Sequence, residues 1–187
     1  MTDVIGAIGD KWRSLGGAAG FGAPTDVERP TFDGVGRSQA FSGGGFISWH
    51  PTIGAFEVHG LIAGKWLAMG REQFGYPITD ESGTPDGRGR FNHFQAVQFD
   101  GRPLASIYFT PRTGAHEVHG AIRQAWAANG FERGRVGYPT SDEHASSVPG
   151  GRRNDFERGF IDFTRQHGAR VHSTVIDEGT ALNPVND

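Results

Sequence analysis

Laid on itself, the 187-residue chain repeats one pattern three times, and nothing else in it limits the fold so strongly. Ile-x-x-x-Trp recurs as Ile8/Trp12, Ile62/Trp66 and Ile122/Trp126, at intervals of 54 and 60 residues. Each is followed by Gly-x-Pro and an acid: Gly22-Ala23-Pro24 with Glu28, Gly75-Tyr76-Pro77 with Glu81, Gly137-Tyr138-Pro139 with Glu143. Next comes Arg-x-(Gln/Asn)-x-Phe, beginning at Arg37, Arg90 and Arg152, each just after glycines. A final stretch holds Ile47-Ser48-Trp49, Ile107-Tyr108-Phe109 or Ile161-Asp162-Phe163, then Gly-Ala at 54, 114 and 168. Glu57-Val58-His59-Gly60 and Glu117-Val118-His119-Gly120 close the first two copies, while the third decays to Arg170-Val171-His172-Ser173, read as one residue short. A period of this length marks architectures in which each unit is too small to bury its apolar face alone and shares a core with its neighbours.

Each element has a physical reading. Ile62, Trp66 and Met69 lie on one face of a short helix at i, i+4, i+7, and Ile8, Trp12 and Leu15 repeat that face. In the third copy Asn129 takes the last place. Gly-x-Pro ends the helical segment and fixes a turn. Phe46–Trp49 and Ala55–Val58 alternate around Pro51-x-x-Gly54, the pattern of a β-hairpin. The expected fold class is α+β: one pseudo-symmetric domain over 1–173, with repeats at about 4–57, 58–117 and 118–173, and a C-terminal tail over 174–187. Each repeat is a short helix, a Gly-x-Pro turn, a strand and a hairpin. Trp12, Trp66 and Trp126 are expected in equivalent buried places.

Composition removes several classes of function. A net charge of −3 from interspersed signs lacks the basic face that nucleic acid requires. No stretch approaches the roughly 18 apolar residues of a membrane helix. Without cysteine there are neither disulfides nor thiolate chemistry. The opening Met1-Thr2-Asp3-Val4 reads as no secretory signal.

The search for catalytic groups returns little. His116-Glu117-Val118-His119 invites a metal, but its histidines are i, i+3 rather than the i, i+4 of a zinc-protease helix, and Phe56 stands where repeat two has His116. The expectation is no metal and no cofactor. His59, His119 and His172 read as hydrogen-bonded residues at a strand end. The adjacent carboxyls Asp80/Glu81 and Asp142/Glu143 are poorly placed to oppose each other across a glycosidic bond. Neither a Gly-x-Ser-x-Gly elbow nor a phosphate loop occurs, since Gly43-Gly44-Gly45 lacks the Lys that would follow.

The repeats resemble the LGFP-repeat family, through Gly-(Tyr/Ala)-Pro with its trailing Glu and through Gly-Ala-x-Glu-Val-His-Gly-x-Ile. The resemblance spans roughly residues 4 to 172. It implies a non-catalytic module that attaches to cell-envelope polysaccharide, notably the arabinogalactan of mycolic-acid bacteria, and hence an extracellular or envelope location. Without a secretory signal, a cytoplasmic or non-classically released lectin is the alternative.

Sugar binding calls for planar polar groups against hydroxyls. The residues offered for it are Arg37, Arg90 and Arg152 beside the glycine loops, Glu28, Glu81 and Glu143 with Asp80 and Asp142 in the acidic turns, and the turn tyrosines Tyr76 and Tyr138. Each Arg has two readings: a guanidinium fork for hydroxyls, or a strut to the acid of its own or a neighbouring turn. Trp49, Phe109 and Phe163 alternate with Ile47, Ile107 and Ile161, which favours the core. Two other functions stay open: a protein-interaction or structural scaffold, and a glycan-active hydrolase.

Overall fold

The computed structural model describes residues 3–174. Except for Thr174, the tail expected over 174–187 lies outside the described residues. Four helices and three antiparallel sheets make up an α+β molecule. The helices are α1 (Gly6–Ser14), α2 (Gly17–Gly20), α3 (Gly60–Ala68) and α4 (Gly120–Ala128).

The first sheet runs in sequence order: β1 (Arg29–Pro30), β2 (Arg37–Phe41), β3 (Gly45–His50) and β4 (Gly54–Val58). The second contains β5 (Tyr76–Pro77), β6 (Ser82–Gly83), β7 (Arg90–Gln95), β8 (Leu104–Thr110) and β9 (Gly114–His119), with β5 and β6 both paired to β7. The third is β10 (His144–Ala145), β11 (Arg152–Phe156), β12 (Gly159–Thr164) and β13 (Gly168–Ser173), again in sequence order.

The Ile/Trp faces of α1, α3 and α4 each pack on the sheet that follows. Each Trp also donates its indole N–H to the carbonyl of the Gly-x-Pro glycine: Trp12 to Gly22 at 2.8 Å, Trp66 to Gly75 at 2.9 Å and Trp126 to Gly137 at 3.1 Å. That bond satisfies the one polar atom of a large apolar ring and fixes the turn against the helix.

The three tryptophans are nevertheless not equally buried. Trp66 and Trp126 are fully buried, whereas Trp12 is only partly so. The inner helices have a sheet on either side. Trp66 meets Phe46 of the first sheet and Phe94 of the second, and Trp126 meets Tyr108 of the second and Phe156 of the third. Trp12 stacks on Phe41 of its own sheet. The expectation of equivalent burial is therefore corrected for Trp12.

Strand register corrects a second expectation. Ile47 faces Glu57, Ile107 faces Glu117, and Ile161 faces Val171. The third hairpin is thus not a residue short. Val171 occupies the place of Glu57 and Glu117, and Ser173, not His172, occupies that of His59 and His119.

Candidate functional site

The repeated Arg and Glu meet in all three copies. Arg37 Nε lies 3.6 Å from Glu28 Oε1, Arg90 Nε donates to Glu81 Oε1, and Arg152 Nε donates to Glu143 Oε1 at 2.6 Å. In the second and third copies the guanidinium also reaches the backbone carbonyl of its glutamate, at 3.3 and 3.2 Å. The carboxylates are recessed, with side-chain exposures of 26%, 5% and 12%, while the arginines stand 41%, 47% and 46% exposed. Each Arg is thus held by its glutamate and still close to half exposed.

Strand pairing puts an aromatic ring directly opposite each Arg: Arg37 faces Trp49, Arg90 faces Phe109 and Arg152 faces Phe163. Directly opposed residues project from the same sheet face with neighbouring Cβ atoms. All three rings are partly buried rather than sealed. In the first copy Arg37, Glu28 and Trp49 line a cleft of about 290 Å³ against the start of α1.

A histidine joins the second and third copies. His59 Nε2 lies 3.4 Å from Glu81 Oε1 while its Nδ1 is 2.7 Å from the buried Glu57. His119 repeats this with Glu143 at 3.4 Å and Glu117 at 2.7 Å. The bond to the buried glutamate is the main reason both imidazoles titrate above their ordinary range. These histidines precede Gly60 and Gly120; Ile5 precedes Gly6 and supplies no such group. His172 takes no part, because its register differs; its Nε2 bonds Asp162 at 3.0 Å and its ring stacks on Phe160.

The other residues singled out by sequence lie between repeats. Tyr76 and Tyr138 are buried, and each hydroxyl is spent on the preceding repeat. Tyr76 Oη donates to Asp33 Oδ2 at 2.8 Å and lies 2.6 Å from Thr31 Oγ1; Tyr138 reaches Thr84 Oγ1 at 2.8 Å and Asp86 Oδ1. A Cβ on Gly36 would collide with the Tyr76 hydroxyl, and one on Gly89 would crowd the Tyr138 ring, so the glycines before Arg37 and Arg90 make room for a tyrosine. Burial corrects the placement of both tyrosines among surface sugar contacts.

Asp80 accepts from Lys11 Nζ at 2.8 Å and from the Glu57 backbone N–H at 3.1 Å. Asp142 does the same with Lys65 at 2.6 Å and Glu117 N–H at 3.2 Å. These acids brace junctions, and they sit beside the Arg/Glu pairs rather than in them. The adjacent carboxyls Asp80 and Glu81 are drawn to different cations, Lys11 and Arg90. His116 and His119 lie three apart on β9, so they project to opposite faces of the strand and cannot converge on one ion. Among the described residues no three His, Asp or Glu side chains gather as a metal site.

Sequence reasoning missed Lys11, Lys65, Glu72, Glu132 and the Thr-x-Asp loops. Their signal is recurrence in two copies of three, which a search for features common to all three passes over.

A family model described as the LGFP repeat matches residues 21–73, 74–134 and 136–177. The chain belongs to the LGFP-repeat family. The family's unit starts at the turn, at Phe21 and Phe74 in the first two copies, and runs through the sheet to the helix after it. In that frame α3 and α4 close units instead of opening them. No curated protein matches the chain.

Proposed function

We propose that this LGFP-repeat protein is a non-catalytic carbohydrate-binding module that holds a polysaccharide at several weak sites, one per repeat, each built on Arg37/Glu28/Trp49, Arg90/Glu81/Phe109 and Arg152/Glu143/Phe163. The observation that carries this reading is the recurrence, in all three copies, of a half-exposed guanidinium anchored on a recessed carboxylate and set opposite an aromatic ring. Such a fork donates charge-assisted bonds to hydroxyls. The partly exposed ring offers an apolar surface to the C–H side of a sugar. Cell-envelope polysaccharide of the arabinogalactan type is the ligand class the family suggests.

The first copy separates binding from bracing. Glu28 is the least recessed of the three acids and its pair with Arg37 is the longest, so Arg37→Ala leaves little buried charge unpaired. It should change stability by no more than about 0.5 kcal/mol, as an ordinary surface substitution does. Retention on purified arabinogalactan should weaken roughly tenfold or more if a charge-assisted bond of about 1.5–3 kcal/mol is lost. Unchanged retention of Arg37→Ala, Arg90→Ala and Arg152→Ala, compared per folded molecule, would return all three residues to bracing alone.

A further inference from the structure

Between the first and second repeats, and again between the second and third, the same set of groups meets. The incoming repeat contributes a glutamate, a tyrosine and an aspartate: Glu72, Tyr76 and Asp80, then Glu132, Tyr138 and Asp142. The receiving repeat contributes a helix lysine (Lys11, Lys65), a Thr-x-Asp loop (Thr31/Asp33, Thr84/Asp86), a mid-strand hydroxyl (Ser48, Tyr108) and a buried glutamate (Glu57, Glu117).

The contacts correspond one for one. Lysine takes aspartate, and tyrosine takes the Thr-x-Asp loop. The hydroxyl meets the incoming glutamate: Ser48 Oγ donates to Glu72, and Tyr108 lies within electrostatic reach of Glu132. The receiving glutamate accepts the backbone N–H that follows the aspartate, Glu57 from Glu81 at 2.7 Å and Glu117 from Glu143 at 2.8 Å.

On the two outer faces these groups are gone but for one hydroxyl, Ser146 in the place of Thr31 and Thr84. Where the incoming glutamate, tyrosine and aspartate belong, the first repeat has Ala18, Ala23 and Val27. Where lysine, loop aspartate, hydroxyl and glutamate belong, the third repeat has Ala125, Val148, Asp162 and Val171. Asp162 is already engaged, bonded to His172 and set between Arg153 and Arg170 on the neighbouring strands, so no hydroxyl stands there to receive an incoming glutamate. Val27 is 60% and Val148 46% exposed, so both stand on the surface where their counterparts are engaged in junctions.

We infer that the repeat junction is a like-with-like docking surface of seven matched positions, and that its replacement on both outer faces keeps a second copy of this chain from adding head to tail. Neither outer face carries the partners that two matching faces would have to exchange, and burying Asp162 against Ala18 would desolvate a charge with no new partner to offset the cost. Open head-to-tail contacts of this kind otherwise propagate into filaments. The inference is independent of the carbohydrate reading.

Grafting tests it on the full chain. One variant restores the receiving face, with Ala125→Lys, Val148→Asp, Asp162→Ser and Val171→Glu. The other restores the incoming face, with Ala18→Glu, Ala23→Tyr and Val27→Asp. By sedimentation the parent and each variant alone should have the mass of one chain, and an equimolar mixture of the variants should reach twice that mass. A parent that forms chains through these faces, or two folded variants that ignore each other when mixed, overturns the inference.

A converse variant guards against grafts that fail to fold. Lys65→Ala, Glu132→Ala, Tyr138→Phe and Asp142→Val give the inner junction the character of an outer face. Its thermal unfolding should split into two transitions as the third repeat uncouples. A single transition at the parent midpoint counts against the docking surface as drawn.

Discussion

Trp66 and Trp126 carry the same local chemistry as Trp12, an indole bound to a glycine carbonyl, yet two sheets cover them and one sheet covers Trp12. Truncation should therefore expose position in the array. Trp66→Ala should cost about 3–5 kcal/mol, the usual range for a large aromatic lost from a core. Trp12→Ala should cost at least about 1 kcal/mol less, since less apolar surface leaves water in the parent. Denaturant unfolding of the two variants checks the order, and equal losses would refute it. The helix face and its Trp were legible from i, i+4 spacing, because that pattern depends on one element alone. The difference between Trp12 and Trp66 was not, because it depends on what lies across the helix, and no local pattern reports that. Tyr76, Tyr138 and Ala23 teach the same lesson at one turn position. In sequence the alanine looks like a break in the motif; in the fold it is the copy whose turn has no Thr-x-Asp loop to reach.

At the scale of elements, turns of one repeat are held to loops and strands of the last by ionised groups, and this gives the junctions a pH signature. Burial works against ionisation of Asp33, but N–H bonds from Gly36 and Val35 and the hydroxyls of Tyr76 and Thr31 outweigh it and bring the carboxyl down to about 2. Asp86 and Asp142 are lowered in the same way against their burial, by Tyr138 and by Lys65 foremost. A carboxylate in an unfolded chain titrates near about 3.9, so the stability these three contribute is complete above that pH and is lost as pH falls toward their folded values. His59 and His119 have the opposite sign. Their raised values mean a contribution present below about 6.5 and lost as pH rises through the folded values. His93 differs again: burial, with Arg123 nearby, holds it down to about 4, so its contribution fades as pH falls below about 6.5. Tyr76→Phe with Tyr138→Phe should thus destabilise the protein at neutral pH, and the gap from the parent should narrow below about pH 3.9. A gap that stays constant across that range would detach the tyrosines from Asp33 and Asp86. The Arg/Glu pairs of these elements were foreseeable, since both partners recur in every copy. The third hairpin was misread by one position because His172 mimics His59 in sequence, and only pairing with Ile161 shows that Val171 and Ser173 hold the equivalent places.

For the whole molecule, the proposed sites are joined by hydrogen-bonded and ion-paired junctions, and that linkage is what turns weak sites into useful ones. Binding at one site presents the next to the same polymer at an effective concentration set by geometry, and linked sites can exceed a single site's affinity by roughly 10²–10⁴ without any new contact. A short oligosaccharide that fills one site gains nothing from the others. Arg37→Ala should therefore weaken polymer retention by a larger factor than it weakens binding of a short oligosaccharide measured on the same preparation, because the polymer loses a link while most oligosaccharide still finds the two remaining sites. Adding Arg152→Ala should deepen the polymer loss more than additively in fold terms, and leave the oligosaccharide bound at the second repeat alone. Isothermal titration with a short oligosaccharide and retention on immobilised polysaccharide, run in parallel on the parent, the single and the double variant, separate the outcomes. Equal losses on polymer and oligosaccharide at each step would mean one site per chain, and the threefold recurrence of Arg, Glu and aromatic would then serve the fold alone.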